Sequence, residues 1–205
     1  EYAEVVSFTG LASGLFAAAG GLAAPALDAG GRVLLMYAAL QSVSAELKVF
    51  ARPSRKSAFL TGLLATADER KSCRITPEQL WLAGEEAGGG EGDKLRDLSL
   101  ICGAYEALAA RQGADPRDRL TRLAEKLRES GRARGREVYL DGFTDFTPQE
   151  RLVLQVLLEQ ADSVTVALTC DTLEGEGGEV FDPARRTARQ LLRLAREAGI
   201  SSEIR

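Results

Sequence analysis

The stretch E-V-Y-L-D-G-F-T-D-F-T-P-Q-E, Glu137–Glu150, decides how the rest of this chain is read. Val138-Tyr139-Leu140 is a β-prone run ending on Asp141, and Thr147-Pro148-Gln149-Glu150 is written like the start of a helix. A leucine-rich segment follows, then a second β-prone run, S-V-T-V-A-L-T-C-D, ending on Asp171. Strand 137–141, helix 148–160 and strand 163–169 make a βαβ unit. Its strand ends place Asp141 and Asp171 on one edge of a parallel sheet, the edge where open α/β sheets bind ligands. The expected fold class is therefore α/β. Val5-Val6-Ser7-Phe8 would end a further strand, and another would begin near Ser202.

The 205 residues suffice for one large domain or two small ones. They carry 26 basic and 30 acidic side chains, net −4, so any nucleic-acid contact must be local. The absence of histidine excludes Ser-His-Asp and Cys-His nucleophiles, His-ligated zinc and imidazole acid–base catalysis. Cys73, Cys102 and Cys170 lie far apart with no C-x-x-C, which reads as buried reduced thiols of a cytoplasmic protein. The chain opens Glu1-Tyr2 without methionine, as a piece of something larger would. Leu11–Leu27 carries no charge, yet Gly20-Gly21 and Pro25 interrupt it. It reads as a packed helix to about Ala19 with its exit loop, not as a membrane segment.

From Leu27 to Glu129 the apolar residues recur at helical spacing: Val33, Met36, Tyr37 and Leu40, then Phe59, Leu60, Leu63 and Leu64. Leu95, Leu98, Ile101, Cys102 and Tyr105 continue the pattern, followed by Leu120, Leu123 and Leu127. Thr76-Pro77-Glu78-Gln79 and Thr147-Pro148-Gln149-Glu150 are capping boxes, each contributing about 1 kcal/mol. Asp115-Pro116 and Asp182-Pro183 repeat the pairing of cap and proline. Gly84–Gly92 reads as a flexible acidic loop whose glutamates would repel phosphate.

Three constellations carry candidate chemistry. Val138-Tyr139-Leu140-Asp141 has the form of a Walker B strand, whose aspartate either holds magnesium or merely caps a turn. Gly142 follows where a motor has its water-orienting glutamate, and G-x-x-x-x-G-K-[ST] is absent from the chain. Phe143 and Phe146 bracket the loop after that strand; they either stack on bases or plug the core beneath. Arg185, Arg189, Arg193 and Arg196, with Arg186 beside them, either track a phosphate backbone or form a solvated helix face.

The run V-Y-L-D-G-F-T-D-F-T-P-Q-E, with V-T-V-A-L-T-C-D and F-D-P-A-R-R-T after it, resembles the B subunits of AddAB-type ATP-dependent helicase–nucleases. S-F-T-G-L-A, G-G-L-A-A-P-A-L-D, E-L-K-V-F, K-L-R-D-L-S-L-I and R-L-T-R-L-A-E-K-L match in order, so the similarity spans nearly the whole chain. The resemblance implies a non-catalytic fragment of that protein's N-terminal region, with a P-loop, superfamily 1 helicase-like sheet core and a helical insertion. Residues 1–24 and 137–205 would be the core (domain 1A-like), and 25–136 the insertion (1B-like). It further implies an A subunit as partner, single- and double-stranded DNA as substrate, and resection of double-strand breaks for recombinational repair. The ATP-dependent deoxyribonuclease and its iron–sulfur cluster would lie beyond residue 205. Any phosphate loop for ATP and Mg would precede residue 1. The family scans the unwound strand for a regulatory sequence, and Phe8 stands where an aromatic contacts that strand. Gly10 and Ser13 replace the arginine and the aromatic of the usual S-F-x-R-L-A pattern.

On this reading Phe8, Thr9, Phe143 and Phe146 line a single-strand path, and Asp141 occupies a degenerate Walker B position. The rival expectations are a magnesium-dependent nucleotide or phosphoester hydrolase centred on Asp141 and Asp171, and a helical protein-interaction module.

Overall fold

The computed structural model describes residues 3–21, 26–50, 57–113, 115–173 and 178–204. The described residues fall into two compact units, 1–20 with 120–205, and 21–119. Each has its own core.

The first unit begins with α1, Phe8–Ala19. Ser7 caps it by accepting a hydrogen bond from the Gly10 N–H at 3.1 Å, and Gly20 ends it at φ 77°. α6 spans Arg119–Ser130, β1 Glu137–Leu140, α7 Pro148–Gln160, β2 Ser163–Val166 and α8 Asp182–Glu197. The strands pair in parallel, Glu137 against Ser163 through Leu140 against Val166. Both capping boxes are formed; in α7 Thr147 and Glu150 satisfy each other's backbone N–H groups. The core gathers Leu15 and Phe16 of α1, Leu123 and Leu127 of α6, Leu140, and Val153, Leu154 and Val156 of α7. α6, which the sequence reading assigned to the insertion, thus buries its apolar face here.

The second unit is helical: α2 Ala29–Ser42, α3 Ser57–Ser72, α4 Pro77–Ala87 and α5 Gly89–Gln112. Its core is Met36 and Leu40 of α2, Leu60, Leu63 and Leu64 of α3, and Ile101, Cys102 and Tyr105 of α5.

The α/β P-loop core does not materialise. Of the described residues 66% are helical and 5% extended, and the sheet has two strands. The physical reason is visible at Val5-Val6-Ser7-Phe8. Val5 is 97% exposed, and the Ser7 carbonyl accepts from Leu11 N, so this backbone is spent on starting α1 rather than on a ladder. Residues 201–204 likewise form no strand. A doubly wound sheet is covered on both faces. Here Val138, Val164 and Val166 pack on the core, whereas Glu137, Tyr139, Ser163 and Thr165 are exposed. The superfamily 1 helicase-like architecture expected from the resemblance is therefore corrected to a mainly helical chain with one short βαβ unit.

Local signals misread elsewhere have equally local causes. Gly84–Gly92 is no loop: α4 and α5 meet there, broken at Gly88, whose φ of 63° suits glycine. The two helices cross so closely that a Cβ on Gly84 would stand 2.8 Å from the Gly92 carbonyl oxygen, and one on Gly92 would overlap the Gly84 carbonyl. Gly92→Ala is expected to lower stability by about 2 kcal/mol, because backbone cannot yield as a side chain can. Chemical denaturation followed by circular dichroism measures it. Asp182 is the first residue of α8 and caps nothing with its side chain, which instead pairs with Arg185 at 2.5 Å. Cys102 is buried as expected, but Cys73 is exposed and Cys170 half-buried; all three are free thiols. The exit of α1 at 22–25 and residues 174–177 lie outside the described residues.

Candidate nucleic-acid interface

In a parallel pair both chains leave the sheet at the same end, and the aromatic candidates collect there. Phe143, in the loop after β1, stacks on Phe146 with ring centroids 4.9 Å apart. Phe8, at the start of α1, meets both rings edge-on, at 5.6 Å from Phe143 and 6.4 Å from Phe146. Such aromatic pairs contribute about 0.5–1.5 kcal/mol beyond their buried area. The three rings differ in access. Phe146 is only 5% exposed and belongs to the core, whereas Phe8 and Phe143 are partly exposed and packed against it. Phe143 and Phe8 therefore keep part of their surface toward solvent, while Phe146 packs against Phe143. Thr9 is exposed, its hydroxyl 2.9 Å from that of Ser7.

The loop between β1 and α7 is shaped by its ends. Asp141 accepts the N–H of Gly142 at 2.8 Å, and Gly142 takes φ 79°. Thr187 of α8 donates its hydroxyl to the Thr144 carbonyl at 2.9 Å, fastening the loop to that helix. Gly142, Thr144 and Asp145 are exposed.

The carboxylates do not assemble into a metal centre. Asp141 is exposed and engages its own loop. Asp171 is bound to Arg185 at 2.7 Å and accepts the N–H groups of Thr172 and Gly178 at 2.8 and 2.7 Å. The Gly178 N–H, more than the neighbouring guanidinium, holds its carboxyl below the usual range. Asp171 is thus a loop clamp. Among the described residues no three Cys, Asp or Glu come together as a group that could hold a metal ion.

Arg185 itself leaves the expected basic stripe. Its side chain is 5% exposed and bonded to Asp171, Asp182 and the Gly178 carbonyl. Arg186, Arg189, Arg193 and Arg196 remain on the exposed face of α8.

Sequence reasoning missed two buried polar centres in the second unit. Asp97 of α5, 2% exposed, accepts the backbone N–H groups of Lys48, Val49 and Phe50 at 2.7–3.1 Å. Asp115, 4% exposed, accepts from Lys71 Nζ at 3.0 Å, Tyr105 OH at 3.2 Å and Arg117 N at 3.0 Å, with Arg32 Nε 3.5 Å away. Burial, reinforced by the Asp115 charge, pushes the Tyr105 hydroxyl up to about 12. The one legible signal was a polar residue breaking an apolar helical stripe, as Asp97 does between Leu95 and Leu98.

A family model described as ADDB, N-terminal, matches residues 2–205. The B subunit of an ATP-dependent helicase/deoxyribonuclease from Thermoanaerobacter sp. (strain X514) is 36% identical over 204 residues, covering 98% of this chain and 18% of its own length. A protein of the same name from Desulforudis audaxviator (strain MP104C) is 38% identical over 208 residues, with the same two coverages. One from Acetivibrio thermocellus is 31% identical over 204 residues. The chain thus spans about 18% of the length of these relatives.

Proposed function

The chain belongs to the ADDB N-terminal family, and on that premise we propose that it is the DNA-contacting N-terminal part of the B subunit of a helicase/deoxyribonuclease. It works with an A subunit in resecting double-strand breaks in the cytoplasm. Within these residues the role is non-catalytic: single-stranded DNA passes over the loop that follows β1. Phe143 supplies a stacking surface, Phe8 its neighbour, Thr9 a polar contact, and Phe146 the support beneath. ATP, magnesium and the iron–sulfur cluster belong to other parts of the full-length protein.

The observation that carries this reading is the convergence of Phe8, Phe143 and Phe146 at the loop end of the sheet, two of them only partly buried. A plug for the core would bury all three. Stacking of one base on an aromatic contributes about 1–3 kcal/mol. Phe143→Ala is therefore expected to weaken binding of an oligothymidylate on the order of tenfold. Fluorescence anisotropy measures this. Unchanged affinity in a folded variant would sink the assignment of Phe143.

A second reading is favoured by one observation in the other unit. An apolar groove of about 670 Å³ between α4 and α5 is lined by Pro77, Trp81, Leu82, Leu100 and Ala104, with Leu82 62% exposed. On this reading the groove is a protein-interaction surface, and the A subunit co-purifies with the chain but not with its Leu82→Asp variant. Equal recovery with both would discard it.

A further inference from the structure

The exposed arginines of α8 make a face that ordinary helix chemistry does not account for. Arg186, Arg189, Arg193 and Arg196 recur at intervals of three, four and three, so they line one side of the helix over about 15 Å. Each neighbouring pair sets like charges side by side, at a cost of about 0.2–0.5 kcal/mol. Among the described residues, the acid that partly offsets them is Glu197, 3.8 Å from Arg193. A face meant only for solvent interleaves the two signs, as Asp93 with Arg96 on α5 and Lys126 with Glu129 on α6 do. Here the acid at the start of the helix is used otherwise, since Asp182 pairs with the buried Arg185. In a chain of net −4 the patch is a local reversal of sign.

The place of the stripe matters as much as its charge. Thr187, next to Arg186 and on the buried side of α8, donates to the Thr144 carbonyl in the loop that carries Phe143. The first arginine of the stripe is thus one residue from the contact that fastens α8 to that loop.

We propose that Arg186, Arg189, Arg193 and Arg196 form a phosphate-tracking surface for single-stranded nucleic acid. The strand leaves the Phe143 loop along α8. This inference rests on the proposed single-strand path and extends it. Phosphate contacts release counterions, so the logarithm of affinity falls with the logarithm of salt by about 0.7 for each contact on a single strand. Phe143 fixes a base and the arginines fix the backbone. The two kinds of contact answer differently to salt.

The test is oligothymidylate binding by the 205-residue chain over a salt series, with Arg189→Ala/Arg193→Ala, Arg189→Lys/Arg193→Lys and Phe143→Ala variants whose melting is checked. The alanine pair is expected to lose about tenfold or more in affinity at low salt and to flatten the slope by about 1.4. The lysine pair keeps the slope, because it keeps the charges. Phe143→Ala loses affinity at unchanged slope. An unchanged slope in the alanine pair overturns the stripe while leaving the aromatic site standing. A flattened slope beside an inert Phe143→Ala does the reverse. No binding by the parent chain overturns both. Displacement of the oligonucleotide by polyglutamate at equal charge concentration would assign the stripe to an acidic protein and overturn the nucleic-acid proposal.

Discussion

Asp115→Ala lowers the stability of the 21–119 unit by about 4 kcal/mol, the cost of leaving a buried cation without its partner. Lys71 is 9% exposed and reaches two carboxylates, Asp115 at 3.0 Å and Asp118 at 2.8 Å, of which only Asp118 has access to water. Arg32, also 9% exposed, is shared among Asp68, Tyr105 and Asp115. Removing Asp115 strips one buried carboxylate from both cations, takes the acceptor from the Tyr105 O–H and uncaps the 3-10 turn at Pro116–Asp118. Asp115→Asn, which keeps a cap acceptor but not the charge, is expected to lose about half as much. Urea denaturation of both variants measures the difference. Equal stability of Asp115→Ala and the parent chain would refute the assignment.

The same group gives a pH dependence of definite sign. Burial alone would raise the Asp115 carboxyl, but the Arg117 N–H and the Lys71 ammonium outweigh it and hold it below the usual range. A depressed carboxyl stabilises the folded state above its unfolded value, about 4, and that contribution disappears as pH falls through the folded value. Acid below about pH 4 should therefore narrow the gap between parent and Asp115→Asn.

The second large effect is expected at Asp97. Its carboxylate is the acceptor for three successive backbone N–H groups, Lys48 to Phe50, where the chain leaves α2. An alanine leaves those donors short of partners and removes a buried anion, at about 3 kcal/mol. Asparagine is no rescue, because half of its amide is itself a donor facing donors. Amide exchange of Lys48, Val49 and Phe50 reports the loss directly. Protection unchanged in Asp97→Ala would show that the segment is held by something else.

Both centres show where sequence stops being legible. Capping boxes at Thr76 and Thr147, the stop at Gly20 and the helix 148–160 were readable, because their partners lie within four residues. So was the parallel β1–β2 pair, since each β-prone run is flanked by turn signals. The third strand failed for the opposite reason. Val5-Val6 has strand propensity, but pairing needs a distant partner, and Ser7 offered its backbone a helix instead. The extrapolation from one βαβ unit to a helicase-like sheet failed with it. Glycines at 84 and 92 looked like flexibility, and only the three-dimensional crossing reveals them as contact points. Arg32 and Tyr105 bond across 73 positions, a separation no local spacing encodes.

The candidate site was half legible. Phe143 follows the end of β1 as expected, whereas Phe8 meets it from the first residue of α1, because the strand expected before it does not form. That Phe146 belongs to the core and Arg185 to a loop clamp depends on side-chain direction, which one-dimensional spacing leaves open. The aspartates teach the same lesson: Asp171, expected just past a strand 163–169, looked like a ligand, yet β2 stops at Val166, and Arg185 and two backbone N–H groups already use the carboxylate.

Crosslinking is the most direct test of the claim that a single strand passes over the β1–α7 loop. A short oligothymidylate carrying one photoreactive iodouracil, irradiated on the chain and mapped by peptide mass spectrometry, should form its adduct at Phe143 or Phe8. Adducts confined to residues 21–119 would contradict the account.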